Sequence, residues 1–388
     1  MRHPAHLAQF RRLLNGLAAE RAEKLARPFH IAPEVYYDPV RATLEQERLF
    51  RRMPLVLGHE STLPKPGDTL TLDIIDRPLL LLRGRDGQLR GFLNACRHRG
   101  VRLTDCPEPT RKSSLVCPYH NWTYDLDGRV KHIPCLDTFP GLDPAQHGLT
   151  PFPLEVRHGL IWGIPQAGDA DDMDLSSFLS GLGEDLDVFG FKAMHGFARA
   201  VTRRKTNWKL IMDAFLESYH VVRLHHKTVG PFFQDGAAIL DRVGRHIRSI
   251  VARQEFGEIA HLPESDWDAR RHVSFAYVIY PNTVLVLHPD YTSILTMYPA
   301  GTDETDFVHT MLTPHPPRND KERDHWQRSF ALIEGGVFQA EDLWISERIQ
   351  ASLRSGANRH FTFGQLEYGI KVFHEQLDAD LGTKSVED

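Results

Sequence analysis

Cys96-Arg97-His98 and Cys117-Pro118-Tyr119-His120 are the two stretches that decide how the first half of this chain folds. Each stretch brings one cysteine and one histidine within a few positions of each other. Around them, over residues 55–163, short runs rich in Leu, Ile, Val and Thr alternate with turns that contain Pro, Gly and Asp. Runs of this length and composition, bounded by such turns, are typical of β-strands. The pattern predicts an all-β domain in which both stretches are loops between strands.

The ligand types in these loops suit two kinds of metal site. One is a structural zinc site with two Cys and two His ligands, and the other is a Rieske [2Fe–2S] centre, in which two histidines replace two cysteines on one iron. Zinc sites of this composition usually pair Cys with Cys and His with His along the sequence, whereas here each loop supplies one of each. Two irons with unlike ligands require that arrangement, so the spacing favours the Rieske centre. Cys106 and Cys135 have no partner at metal spacing and are interpreted as structural residues.

A second set of candidate metal ligands lies near residue 220. Residues 208–224 predict a helix on which Glu217 and His220 share a face, so that the carboxylate can accept the imidazole N–H and fix its tautomer. His225 follows His220 by five positions, which on a regular α-helix turns it away by about 140°. Both histidines can bind one metal only if the helix widens into a π turn or ends between them. His226 is an alternative second ligand.

A carboxylate later in the chain completes this second set. Glu341 and Asp342 are adjacent in a predicted helical stretch over residues 318–354, which has a break at Gly335-Gly336. Either acid, together with the two histidines, gives the facial triad of non-haem Fe(II) oxygenases. Both acids are candidates for the third ligand.

The composition excludes several other classes of protein. The chain has 388 residues, 41% hydrophobic and 25% charged, which is ordinary for a globular protein with two domains. Its 46 basic and 51 acidic residues give a net charge of −5, which makes no electrostatic case for a nucleic-acid or anionic-membrane partner. No apolar run approaches the ~20 residues of a membrane helix, and no secretory signal is present at the N-terminus. We therefore expect a cytoplasmic protein.

The order of these motifs resembles the large (alpha) subunit of the Rieske non-haem iron oxygenases, the ring-hydroxylating oxygenase family. The resemblance rests on the two Cys–His loops, the helix start Asn207-Trp208-Lys209, the run from Glu217 to His225, and the late Glu341-Asp342. It implies Cys96, His98, Cys117 and His120 as cluster ligands, and His220, His225 and Asp342 as ligands of a mononuclear Fe(II).

The resemblance also implies a route for electrons between subunits. In the family, an acid at the position of Glu217 links an iron-ligand histidine to a Rieske-ligand histidine of the neighbouring subunit, here His120. A homotrimer is therefore the expected assembly. Many members have Asp at this position, and the Glu of this chain resembles a subset that includes oxygenases of quaternary amines.

The expected fold class is α+β, with three regions along the chain. Residues 1–50 form a helical arm that packs on the body, residues 51–166 form the all-β Rieske [2Fe–2S] domain, and residues 175–388 form a helix-grip-like catalytic domain with an antiparallel sheet and C-terminal helices. Strands are expected near residues 197–206, 272–280, 283–288, 293–298 and 306–313. Residues 230–268 show no clear period and predict a lid or a disordered segment. Their arginines, Arg242, Arg245, Arg248 and Arg253, are interpreted as a solvated helix face, with contact to a carboxylated substrate as the alternative.

The resemblance implies a terminal oxygenase that uses O2 and electrons from a separate NAD(P)H-dependent reductase or ferredoxin to hydroxylate a small organic substrate. An aromatic substrate is expected first. A Rieske monooxygenase or demethylase acting on a quaternary or methylated amine is the alternative, and a zinc-stabilised binding protein is the non-enzymatic alternative. The run His288-Pro289-Asp290, with His309 further on, imitates the ligand order of 2-oxoglutarate oxygenases and is interpreted as a coincidence.

Overall fold

The computed structural model describes residues 4–18 and 24–387. These residues form two compact units. The small unit runs from Phe50 to Phe178, and the large unit combines the described residues up to Leu49 with those from Leu179 onward. Within the described ranges, no helix is both long enough and apolar enough to cross a membrane.

The N-terminal segment belongs to the large unit. It contains α1 (Pro4–Ala18), β1 (Phe29–Ile31) and α2 (Pro39–Glu45). Helix α1 buries Phe10 and Leu13, and its His6 Nε2 lies 2.8 Å from the hydroxyl of Tyr277. The helical arm expected over residues 1–50 includes residues 1–3 and 19–23, which lie outside the described residues.

The small unit is built almost entirely of strands. Three antiparallel sheets form it, in the orders β10-β11-β2, β5-β4-β3-β6 and β7-β8-β9. Their buried side chains enclose one core that includes Leu80, Phe92, Trp122 and Tyr124. The elements are β2 (Leu55–His59), β3 (Asp68–Ile74), β4 (Arg77–Arg83), β5 (Leu89–Leu93), β6 (Thr110–Arg111), β7 (Leu115–Val116), β8 (Thr123–Tyr124), β9 (Val130–His132), β10 (Leu154–Arg157), β11 (Leu160–Gly163) and, at the unit's end, α3 (Leu175–Leu179).

The large unit is organised around a seven-stranded antiparallel sheet in the order β12-β18-β17-β16-β15-β14-β13. Strand β17 is buried at every position, because it lies in the middle of this sheet. The elements are α4 (Leu182–Phe189), β12 (His195–Arg204), α5 (Trp208–Ala214), α6 (Val221–Leu224), β13 (Phe233–Val243), β14 (His246–Arg253), α7 (Ala269–His272), β15 (Val273–Ile279), β16 (Thr283–Leu287), β17 (Thr292–Pro299), β18 (Thr305–Thr313), α8 (Asp320–Ala331), α9 (Leu343–Ser352), β19 (Phe361–Phe363), α10 (Tyr368–Leu381) and β20 (Val386–Glu387).

Shorter helical turns complete both units. The chain forms π-helical segments at Gln46–Phe50 and Leu332–Asp342. Single 3-10 turns occur at Pro33–Tyr36, Glu60–Thr62, Leu136–Thr138, Pro144–His147, Ala170–Asp172, Phe191–Ala193, Gly230–Phe232, Gln254–His261, Glu264–Asp266 and Leu353–Ser355. The all-β small unit and the mixed large unit confirm the predicted α+β class.

A buried ion pair joins the N-terminal segment to the centre of the large unit. Lys209 Nζ lies 2.6 and 2.9 Å from the two carboxylate oxygens of Glu45, and the indole N–H of Trp208 donates to the same carboxylate at 2.9 Å. Burial lowers the pKa of Lys209, although the charge of Glu45 opposes the effect. Because both partners are almost fully buried, the contact fixes α2 against the start of α5.

The prediction of a lid or disordered segment over residues 230–268 is wrong. Strands β13 and β14 form a hairpin that closes one edge of the seven-stranded sheet. The period is hidden because β14 is buried at nearly every position, and because the β13 register shifts between Phe233 and Ala238. The arginines of this segment therefore lie on strands and in their turn, not on a helix face. Arg248 pairs with the buried Asp185 at 2.6 Å.

Two helices of the structure also differ from the predicted ones. The helix expected over residues 208–224 ends at Ala214, and a separate single turn, α6, follows after six residues that are not helical. The break expected at Gly335-Gly336 is instead the π-helical segment that joins α8 to α9. Both irregularities lie at positions that carry candidate metal ligands.

We expect Gly369→Ala to lower the free energy of unfolding by about 1–3 kcal/mol, as over-packing does elsewhere. Gly369 of α10 lies against the backbone just before Glu217, and a Cβ there would fall 2.1 Å from the carbonyl oxygen of Leu216. Gly257→Ala is the matched control, since its Cβ would meet no atom within 4 Å. Urea denaturation of both variants measures the effect, and equal midpoints would contradict it.

Candidate metal centres

The two histidines near residue 220 are brought together by a break in the helix. Helix α5 ends at Ala214, and His220 and His225 flank the single turn of α6. This is one of the two arrangements by which histidines five positions apart can face the same point. Their ring centroids lie 5.2 Å apart with the planes inclined at 76°.

Asp342 joins these histidines from the other side of the site. Among the described residues, His220, His225 and Asp342 form the only group of three His, Cys, Asp or Glu side chains whose ligand atoms all lie within 4.8 Å of one another. The Nε2 atoms of His225 and His220 lie 3.2 and 3.7 Å from Asp342 Oδ1. Asp342 is the last residue of the π-helical segment, whose wider turns change the direction that Asp342 takes relative to α8.

A second carboxylate orients each histidine. Glu217 Oε1 makes a short hydrogen bond with His220 Nδ1, and Glu341 Oε2 accepts one from His225 Nδ1 at 2.7 Å. Thr228 donates its hydroxyl to the same Glu341 oxygen at 2.7 Å. With both Nδ1 atoms bonded in this way, both Nε2 atoms face Asp342. Carboxylate–histidine pairs of this kind fix the tautomer of metal-binding histidines.

The group has the properties of a site for a divalent cation. Asp342 is 3% exposed, and its Oδ1 has no hydrogen-bond partner among the described residues. Because a buried carboxylate oxygen without a partner is costly, a cation at this point would stabilise it. Burial lowers the pKa of His220 and of His225, but the neighbouring carboxylates outweigh it and raise each pKa above its ordinary value. Two imidazole nitrogens and one carboxylate oxygen are the donor set of a non-haem Fe(II) triad.

The four ligands expected in the small unit lie on two loops of the same design. The amide of Cys96 donates to the carbonyl of Val101, and that of Cys117 to the carbonyl of Trp122, at 2.8 and 2.9 Å. Four residues after each cysteine, Gly100 and Asn121 have φ of 76° and 56° and donate back to the cysteine carbonyl. Gly and Asn tolerate this left-handed conformation better than other residues, which explains their place in the two loops.

The loops place the cysteines inside and the histidines at the surface. Cys96 and Cys117 are 3% and 1% exposed, while His98 and His120 are partly exposed with their Nδ1 atoms 3.1 Å apart. Burial raises the pKa of the Cys96 thiol, and the Tyr124 hydroxyl lies 3.3 Å from its sulfur.

The spread of these four side chains argues against zinc. Tetrahedral Zn²⁺ would hold its ligand atoms about 3.3–3.8 Å apart. Although all four residues are described, no three of them have ligand atoms that lie within 4.8 Å of one another. Ligands divided between two metals do not need to meet at one point, and one Cys pair with one His pair is the ligand set of a Rieske cluster.

The other candidates from the sequence do not converge on a metal. His309 bonds Glu334 and Ser293 at 2.8 and 3.0 Å, and Asp290 pairs with His325 at 2.6 Å. The residues whose order imitates 2-oxoglutarate oxygenases thus have other partners among the described residues. His226 is exposed and bonds the carbonyl of Arg223, so it stays outside the group.

A cavity of about 440 Å³ contains the group of three. One wall is helical and carries His220, His225 and Asp342. The residues that face this wall come from the sheet. From the sequence alone, these residues either are not recognised as site residues or receive another interpretation. The cavity's aromatic lining consists of Phe215, Phe232, Phe233, Tyr291 and Phe338, and its sheet residues include Val251, Arg253, Ser274, Ala276, Val286 and His288. Val251 and Arg253 lie two positions apart on β14, a strand whose alternation is hidden in the sequence by its burial.

Two family models match the chain. The Rieske [2Fe-2S] domain matches residues 53–152, and the ring hydroxylating alpha subunit (catalytic domain) matches residues 191–383. The carnitine monooxygenase oxygenase subunit of Escherichia coli (strain K12) is 28% identical over 370 residues, 89% of this chain and 92% of that protein. The glycine betaine monooxygenase oxygenase subunit of Chromohalobacter salexigens is 32% identical over 228 residues, which cover 58% of this chain and 50% of that protein. The chlorobenzene dioxygenase subunit alpha of a Cupriavidus species is 27% identical over 376 residues, which cover 85% of this chain and 81% of that protein.

Solved structures have the same fold. A quaternary ammonium Rieske monooxygenase in complex with L-carnitine superposes with a TM-score of 0.77 at 21% identity, covering 92% of this chain and 96% of that one. A naphthalene 1,2-dioxygenase from Rhodococcus superposes with a TM-score of 0.74 at 19% identity, covering 96% of this chain and 97% of that one. At these identities the two likenesses establish the fold.

We expect Asp342→Ala to lower bound iron from about three to about two atoms per chain, because it removes a ligand of the single iron and leaves the [2Fe–2S] cluster. Glu341→Gln should keep the iron but weaken its binding about 10- to 100-fold, as loss of an orienting acid does. Acid-labile sulfide reports an intact cluster, and Glu347→Gln, one turn further along α9, is the control. Full iron in Asp342→Ala, with loss in Glu341→Gln, would reverse the assignment.

Proposed function

The chain belongs to the Rieske non-haem iron oxygenases, and from this premise we propose that it is the oxygenase subunit of a monooxygenase that acts on a small quaternary or methylated amine. The observation that carries the proposal is the charge around the group of three. Glu217 contacts His220, Glu341 contacts His225, and Asp342 contacts both histidines. Glu217, Asp342 and the two histidines line a cavity whose other side chains are largely apolar and aromatic.

The charge balance favours a cation at the helical wall. Three carboxylates surround a site that takes one divalent metal, so one negative charge is left over. Phe215 and Phe338 line the same cavity as the group of three, and aromatic faces attract quaternary ammonium groups. The similarity to carnitine and glycine betaine monooxygenase subunits agrees with such a substrate.

The residues of this chain have distinct tasks in the reaction. His220, His225 and Asp342 would hold the Fe(II), while Cys96, His98, Cys117 and His120 would hold the cluster. When bound, the two centres supply stored electrons and O2 activation. Glu217 and Glu341 keep both imidazoles in the tautomer that presents Nε2. The overall reaction inserts one oxygen atom of O2 into a C–H bond and reduces the other to water, with two protons and two electrons from a separate NAD(P)H-dependent reductase.

We propose further that the electrons cross between subunits of a homotrimer, through Glu217. Besides the cavity with the group of three, Glu217 lines a second, largely apolar cavity of about 460 Å³, together with Tyr219 and Leu224. Tyr219 is 48% exposed, and Tyr119, next to the cluster ligand His120, is 54% exposed. An acid between the iron site and an exposed apolar surface suits contact with His120 of the partner subunit.

An aromatic substrate is the second candidate, and the chlorobenzene dioxygenase subunit supports it. The cavity is apolar enough to accept an arene. The amine is favoured because an arene would leave the negative charge at the helical wall without a counterpart, and because the relatives that act on amines are at least as similar.

We expect coupled turnover with trimethylammonium compounds. With a surrogate reductase, O2 uptake should equal the amount of aldehyde and amine released, because hydroxylation next to nitrogen breaks the C–N bond. The isosteric tert-butyl compounds, which lack the charge, are the matched control and should give slow, uncoupled uptake. Coupled oxidation of arenes, with none of the amines, would overturn the proposal.

We expect two inactive variants to restore activity when they are combined. His120→Ala disables the cluster, and Asp342→Ala disables the mononuclear site, so each homo-oligomer should be inactive. In co-expressed hetero-oligomers, an intact cluster would face an intact iron site across the interface. Mixing the two after separate assembly, without subunit exchange, is the control. If co-expression restores no activity although light scattering shows hetero-oligomers, electrons do not cross between subunits.

A further inference from the structure

We propose that the sheet wall of the iron cavity is a carboxylate-binding site formed by Arg253, Ser274 and His288, which we term the sheet-wall cluster. Resting on the proposed function, this inference makes the substrate a zwitterion, with its ammonium end at the iron and its carboxylate on the sheet.

The strand register places the three side chains on one face of the sheet. Val251 of β14 pairs with Ser274 of β15, and Ala276 pairs with Val286 of β16. Because side chains alternate along a strand, Arg253 follows Val251 on that face, and His288 follows Val286. All of these residues line the cavity. The sheet wall is therefore apolar along Val251, Ala276 and Val286, and polar at the cluster.

Two polar atoms of the cluster are buried without a partner. Ser274 is 4% exposed, and neither its Oγ nor His288 Nε2 has a hydrogen-bond partner among the described residues. A buried polar group that lacks a partner is costly, so native structures rarely keep one without a ligand, ion or water. Asp342 Oδ1 is the third such atom in this cavity, and a metal bound by the group of three would satisfy it. A different ligand would satisfy the two atoms on the sheet.

Arg253 brings a positive charge that no carboxylate of the described chain neutralises by an ion pair. Its guanidinium instead lies 5.8 Å from the ring centroids of both Phe232 and Phe233, which hold it at the cavity wall. Of the acids that line the cavity, Asp290 is already paired with His325 at 2.6 Å, and Glu217 and Asp342 contact the histidines of the group of three. The charge of Arg253 is therefore available to an anion in the cavity.

The chemistry of the three groups matches a carboxylate. Burial lowers the pKa of His288 to about 3, with the charge of Arg253 contributing, so the imidazole is neutral at ordinary pH and keeps one N–H to donate. Its ring stacks on Tyr291 at 4.3 Å, which fixes its plane. A guanidinium, a hydroxyl and a neutral imidazole together offer N–H and O–H donors with one net positive charge. A carboxylate, which only accepts, satisfies all three.

The test compares γ-butyrobetaine with its methyl ester, which keeps the ammonium end and loses the anionic charge. Binding to the holoenzyme is measured by calorimetry without reductase, so that it does not depend on turnover. The native protein should bind the carboxylate at least 10-fold more tightly than the ester. Arg253→Met should weaken carboxylate binding about 10- to 100-fold, as loss of a charged hydrogen bond does, and should change ester binding less than about threefold.

Ser274→Ala and His288→Phe should each weaken carboxylate binding by a smaller factor, again with little effect on the ester. Arg271→Met, whose side chain is 66% exposed and lies outside the cavity lining, is the matched control and should bind both compounds as the native protein does. Equal weakening of the two compounds by Arg253→Met, or no weakening of either, would overturn the carboxylate site.

A second pair of probes separates this proposal from the proposed function. Benzoate and methyl benzoate carry no ammonium group, so a loss of benzoate selectivity in Arg253→Met supports the carboxylate site even if no amine is oxidised. Turnover of trimethylammonium compounds without any preference for a carboxylate would leave the proposed function standing and overturn the site.

Discussion

The proposed iron site depends on two hydrogen bonds, each between an acid and an imidazole. Glu217 bonds Nδ1 of His220, Glu341 bonds Nδ1 of His225, and both rings are thereby turned so that Nε2 faces Asp342. The local backbone follows from this requirement. The helix has to end at Ala214 so that the two histidines can flank a separate turn, and the π-helical segment has to end where Asp342 enters the site. Two departures from regular helix therefore serve a single metal geometry.

The small unit positions its candidate ligands with two loops of the same backbone design. Two loops with the same amide contacts and the same left-handed residue, Gly100 in one and Asn121 in the other, each present a buried cysteine and a partly exposed histidine. Because the two loops share this design, both cysteines are buried in the core and both histidines lie at the surface. If these four residues hold the cluster, as proposed, its unlike ligands come from two nearly identical pieces of backbone.

Much of this organisation could be predicted from the sequence, because ligand types at fixed spacing identify a site even when the backbone around them is unknown. The two Cys–His loops, Glu217, and the Glu341-Asp342 pair are of this kind, as are the strands after residue 270, whose apolar runs are bounded by turns. The hairpin of β13 and β14 could not be predicted, since burial on both faces removes alternation and a bulge shifts the register. The choice between Glu341 and Asp342 depends on the direction of a π-helical segment, which no spacing encodes. The role of Arg253 depends on that same hairpin.

The large unit is discontinuous along the chain, and this affects how the protein is made. Strand β1 pairs with β19 and β20, and Glu45 pairs with Lys209, so the partners of the N-terminal segment come after the small unit in the sequence. On the ribosome, the small unit emerges complete while β1 still lacks both neighbouring strands. Co-translational folding can therefore finish the small unit early, whereas the large unit can close only once β19 and β20 have been synthesised.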